Sequence, residues 1–185
     1  MTRTPLLVEL DEATLTSQRR RTATWLATLA SLQTGYRRLL GRTVPLIGDP
    51  QVRTWLSELH DAARRHEAAV DEIAAGLDVR PAAPHPLTAL TGTVLGLGRE
   101  LAGQVQGLLA GGSGPAWRDL RHLTLSNLDS MSAFAVAEQL GLALGRPQAV
   151  DVAFRVVSEK SAHQLLLREV FLEFAADAVL HRRDV

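Results

Sequence analysis

Residues 49–77 read DPQVRTWLSELHDAARRHEAAVDEIAAGL. Asp49 is a natural helix N-cap, and Pro50 suits the first helical position, where no backbone N–H is needed. Behind them Val52, Trp55, Leu56, Leu59, Ala63, Val70 and Ile73 recur at three- and four-residue steps, which gathers them on one face of a helix. Pro81, Pro84 and Pro86 then forbid its continuation. A helix this long with one apolar stripe must be covered by others of its kind, so the stretch points to an all-α fold.

Upstream, Leu15, Trp25, Leu26, Leu29, Leu32, Tyr36, Leu39 and Leu40 mark a first helix over 13–40. Gly41 is the expected C-cap, Pro45 lies beyond it, and residues 1–12 read as an arm. Downstream, Ser113 or Gly114 is the expected cap of a third long helix with Pro115 near its start, ending by Gly145–Pro147. A fourth is expected from Gln148 to Leu180, with 181–185 as a tail. Four such helices predict a nearly antiparallel four-helix bundle over 13–180. The interval 78–114 is too long for a hairpin and reads as a crossover. Within it Leu87, Leu90, Val94, Leu97, Leu101, Val105 and Leu108 keep helical spacing, while Gly92, Gly96, Gly98, Gly103 and Gly107 each cost about 1 kcal/mol against Ala. One or two short helices are expected there.

The chain has 185 residues, 46% apolar and 22% charged, which suits one domain with a real core. Formal net charge is zero, against the basic excess of a dedicated nucleic-acid binder. Nineteen of the twenty basic residues are Arg, and Lys160 is the single lysine. Cysteine is absent, which excludes disulfides and thiolate metal sites. No run of about eighteen uncharged apolar residues exists, because Arg99 and Glu100 interrupt 87–112. Met1 to Asp11 lacks a signal-peptide pattern, so a cytoplasmic location is expected.

A buried polar group costs several kcal/mol unless partnered, so polar residues on apolar stripes are candidate site residues. Gln33 lies four after Leu29 and three before Tyr36. His66 lies seven from both Leu59 and Ile73. Asn127 lies four from both Leu123 and Met131, with Ser130 three further on. His163 lies seven from both Val156 and Val170, with Lys160 three before it. Di-metal sites in bundles take a Glu from each of two helices and a Glu-x-x-His pair from each of the other two. His66 and His163 are well placed, but Ala63 and Lys160 precede them by three. Gln33 and Asn127 stand at the remaining positions, and no carboxylate does.

The helix order, the proline-rich crossover and patches such as Arg64-Arg65-His66-Glu67 and Val157-Ser158-Glu159-Lys160-Ser161-Ala162 resemble the YciF-type ferritin-like stress proteins over roughly 13–175. The resemblance implies a di-metal centre of Glu with His or Gln ligands. Its positions would fall at Gln33, Ala63, His66, Asn127, Ser130, Lys160 and His163, none of which carries a carboxylate. The expectation is therefore a divergent member, non-catalytic, with His66 and His163 as its remaining metal-capable residues. Neutral amides cannot offset two divalent charges, and Lys160 could place an ammonium where a cation sat, paired with Glu159, Asp129 or another acid.

Two other functions stay open. One is an oxidase or peroxide-handling enzyme holding iron or manganese on His66, His163 and an acid such as Glu159. The other is a nucleic-acid-associated protein using Arg19–Arg21, Arg37, Arg38 and Arg42. The bland alternatives are hydrogen-bonded core histidines, a lysine at the core edge, inter-helix amides at Gln33 and Asn127, and solvated charge along Glu169, Glu173 and Asp177. A homodimer is expected, with the Leu and Val of the Gly-rich crossover as its surface.

Overall fold

The computed structural model describes residues 11–80 and 114–181, and all regular structure in them is helical. Helix α1 is Glu12–Thr43, followed by a 3₁₀ turn, Val44–Leu46. Then come α2, Pro50–Gly76; α3, Pro115–Ala143; α4, Pro147–Glu173; and the short α5, Ala175–Leu180. No helix among the described residues is long and apolar enough to cross a membrane.

The helix starts follow local chemistry. Asp49 Oδ1 accepts from the Gln51 and Val52 N–H groups at 2.8 and 2.9 Å, with Pro50 first in the helix as expected. Asp11 caps α1 by accepting from Thr14 N–H at 2.8 Å, so residues 11 and 12 belong to the helix start and not to an arm. Gly114, not Ser113, is the N-cap of α3.

Two helix ends differ from expectation. Gly41 does not terminate α1; it lies inside the helix, where an added Cβ would meet the His60 ring at 3.4 Å. The helix stops at Thr43 because Val44 and Pro45 wind into the 3₁₀ turn. The fourth helix is also not continuous to Leu180. It breaks at Phe174, which packs beside the core, and restarts as α5 so that Ala178 is buried.

Helix α1 packs on α2 and α3, and α4 packs on the same two. Cross-helix pairs show that neighbours run antiparallel. Arg19 meets Asp78 and Arg37 meets Glu67 between α1 and α2. Thr43 meets Asp119 and Gln33 meets Ser130 between α1 and α3. His66 meets Glu159 and Glu72 meets Arg155 between α2 and α4. The tight α3–α4 turn depends on Gly145, with φ +63°, and on Gly141, whose Cβ would lie 2.8 Å from Val150 Cγ2. The end of α2 sits against Ala149, whereas the start of α3 sits near Thr43, so Arg80 and Gly114 lie at opposite ends of the helices. The expected crossover, its short helices and its Leu and Val surface fall on 81–113, outside the described residues.

The core is in two parts. One gathers Leu26, Leu29, Val70, Ile73, Phe134 and Val156 with the alanines of all four helices. The other gathers Tyr36, Leu40, Leu56, Leu59, Leu123 and Leu167. Burying each Leu or Ile contributes about 1.5–3 kcal/mol.

Candidate functional site

The two apolar clusters do not meet directly. Between Leu29 and Tyr36 on α1 stands Gln33; between Ala63 and Ala69 on α2 stands His66. Between Leu123 and Ala133 on α3 stand Asn127 and Ser130, and between Val156 and Leu167 on α4 stands Lys160. All five are buried. Every long helix therefore sends polar atoms into one layer, as their positions on the apolar stripes predicted.

The amides hold the layer together. Gln33 donates from Nε2 to the Ala63 carbonyl at 2.8 Å, and its Oε1 accepts from Ser130 Oγ at 2.7 Å. This one side chain joins α1 to both α2 and α3. Asn127 donates from Nδ2 to the Lys160 carbonyl at 3.1 Å and to Gln164 Oε1 at 2.8 Å. Ala63 thus takes part through its backbone alone.

Lys160 is fully buried. Its Nζ donates to Asn127 Oδ1 at 3.4 Å and stands 4.2 Å from the Tyr36 ring centroid and 6.0 Å from that of Phe134. The expected acidic partner is absent: among the described residues no carboxylate pairs with this amine, and Glu159 instead binds His66. An ammonium here is met by one amide oxygen and an aromatic face, a cation–π contact. Burial pushes its pKa down from 10.5 to about 7, so near neutrality the amine is poised between its charged and neutral forms.

His66 Nε2 lies 2.9 Å from Glu159 Oε2. Burial pushes this imidazole down to about 4, with the nearby Lys160 acting in the same direction, and this outweighs the Glu159 bond. A neutral ring beside a carboxylate must donate from Nε2–H, which leaves Nδ1 as a buried lone pair with no partner among the described residues. The bond from His66 in turn holds Glu159 below the usual carboxylate range. Glu159 is the outlet of the layer, half-exposed and with Arg65 at 4.0 Å. The His163 ring lies 6.0 Å from that of His66, and burial lowers its pKa too.

The structure thus brings together Gln33, His66, Asn127, Ser130, Lys160 and His163. It adds Tyr36, Phe134 and Gln164, which sequence reasoning placed only as core or passed over. Tyr36, three residues after Gln33 on the same stripe, was the available signal. Its hydroxyl is buried without a hydrogen-bond partner among the described residues, and burial raises its pKa. Glu67 was also missed; it accepts from Thr34 and Arg37 and fastens α1 to α2 beside the layer.

For metal chemistry the layer is poorly furnished. Among the described residues no group of three or more His, Asp and Glu side chains is arranged to hold an ion. The amide oxygens of Gln33 and Asn127 are already accepting hydrogen bonds, and the amine of Lys160 lies among them. The arginine clusters are also partly engaged: Arg19, Arg37 and Arg42 pair with Asp78, Glu67 and Asp119. No family model, curated protein or solved structure matches this chain.

Proposed function

We propose that this chain is a ferritin-like four-helix-bundle protein, with one long crossover, in which an internal lysine has taken the place of a di-metal centre. It acts in the cytoplasm as a non-catalytic binding or structural protein of the stress-related kind that its YciF-type sequence resemblance implies. The observation that carries the reading is Lys160. A fully buried amine, held by an amide oxygen over an aromatic ring, sits level with two histidines at mid-height of four packed helices. That is where such bundles hold metal, and a cationic side chain there repels an incoming cation while the missing carboxylates cannot attract one.

Metal analysis tests the reading. Purified from medium rich in iron and manganese, the unaltered chain is expected to carry only traces of either. About two equivalents per chain, the complement of a di-metal bundle, would overturn it. The paired substitution Ala63→Glu and Lys160→Glu places a carboxylate three residues before each histidine and removes the ammonium. Measurable uptake in that variant alone is the expected contrast.

A further inference from the structure

The solvent face of α2 carries Arg53, Glu58, Asp61, Arg64, Asp71 and Glu72, all exposed. The outer face of the α3–α4 pair is of another kind. Leu125, Leu128 and Val136 on α3, and Phe154, Leu165 and Leu172 on α4, are 41–66% exposed. Their spacings place each trio along one side of its helix. The pairings Asn127–Lys160 and Trp117–Phe171 set the antiparallel register. In that register Val136 is level with Phe154, and Leu125 is level with Leu165. The two rows form one strip along most of the helix pair, with the small side chains of Ser132, Ser158 and Ser161 among them.

We infer that this strip is the contact surface for a second copy of the chain, joined across a two-fold axis perpendicular to the helices. Area is the first argument. The six side chains present on the order of 600 Å² of apolar surface, at the upper limit for the largest patch of a typical monomer. Two such faces together remove about 1,200 Å², the lower bound for a stable protein–protein interface.

Self-complementarity is the second argument. A two-fold contact requires one patch to fit itself. Two antiparallel rows of Leu, Val and Phe around a middle of serines do so, because the serines let the helices approach while the large side chains of each copy fill the flanks. Arg121 and Arg168 stand at the Leu172 end of the strip. A perpendicular two-fold through the serines carries each toward the partner's Val136 and Phe154 end and away from its own counterpart, so no like charges meet.

Sedimentation and light scattering of the full chain over about 1–100 µM test the inference. A dimer is expected, and Leu128→Glu and Leu165→Glu are each expected to weaken it about 100-fold or more, since a buried charge at the centre of an apolar contact finds no partner. Leu15→Glu, an exposed leucine of α1, is the control and leaves the dimer intact. Should the Glu variants lose helicity, Ser161→Cys reports independently. The chain has no other cysteine, so mild oxidation is expected to link two copies at the two-fold, whereas Ser57→Cys on the outer face of α2 is not. A monomer throughout that range overturns the inference, including one whose strip is shielded by residues 81–113. So does a dimer indifferent to both Glu variants and unlinked through position 161.

Discussion

Leu29 and Gln33 are neighbours one turn apart on α1, and both are fully buried. The regions they belong to work differently. Leu29 lies among Val70, Ile73, Phe134 and Val156, where any apolar shape of the right volume satisfies the neighbours. Gln33 has two obligatory bonds, one to a backbone carbonyl on α2 and one to a hydroxyl on α3, and a small rotation would leave both polar groups dry and unpaired. The apolar clusters supply most of the stabilisation, whereas the polar layer between them contributes orientation. A layer that buries an amine with an amide oxygen and a ring but no carboxylate partner among the described residues is a liability in free energy, so its persistence is better explained by specificity or by function than by stability.

The pH dependence of unfolding should show this liability most strongly. Lys160 titrates near 10.5 when the chain is unfolded and about 7 when buried. Between those values the unfolded chain holds a proton that the folded chain does not. Folded stability therefore rises with pH across that window, by at most about 1.4 kcal/mol per unit, and this contribution is absent below it. His66 acts in the same sense lower down: its folded value of about 4 lies under 6.5, so stability falls as pH drops between them. Urea unfolding at about pH 7 and about pH 9.5 should differ by several kcal/mol, and Lys160→Met should abolish that difference while leaving the lower window. An unaltered profile in that variant would show that the amine is not the group responsible.

Leu29→Ala is the counterpart in the apolar region. It should cost about 2–5 kcal/mol through lost burial and the cavity left behind. Because no titrating group is touched, the loss should be equal at both pH values; a strong pH dependence would mean that the two regions are not separable. The smallest effect is expected away from both. Gly145→Ala in the α3–α4 turn meets no atom within 4 Å, so its cost is the backbone strain of φ +63° alone, about 1 kcal/mol in thermal or urea unfolding.

Much of this was legible in the sequence, for local reasons. Helical spacing located the four long helices, and Asp49–Pro50 located one start to the residue. Gln33, His66, Asn127, Ser130 and Lys160 stood out because polar residues on apolar stripes are conspicuous, and all five are buried. Their partners were not legible. That Glu159 serves His66, while Lys160 turns to Asn127 and Tyr36, depends on how far one helix is slid along another. Many distant contacts set that offset, and no spacing within a single helix encodes it. Two helix bounds were misread for a related reason: Gly41 leaves room for the His60 ring and does not end α1, and the break at Phe174 has no glycine or proline to announce it.

Asn127 illustrates what such an offset is worth. Its Nδ2 holds the Lys160 carbonyl and its Oδ1 receives the Lys160 ammonium, so one short side chain grips one residue by both backbone and tip. If α4 moved by one turn along α3, about 5.4 Å, Asn127 would face Val156 or Gln164 instead. Neither carries a side-chain cation to answer the amide oxygen. Small aliphatic side chains repeat along these helices and would tolerate several alignments almost equally. The lone lysine occurs once, and it acts as an index mark that makes a repetitive interface readable in one position.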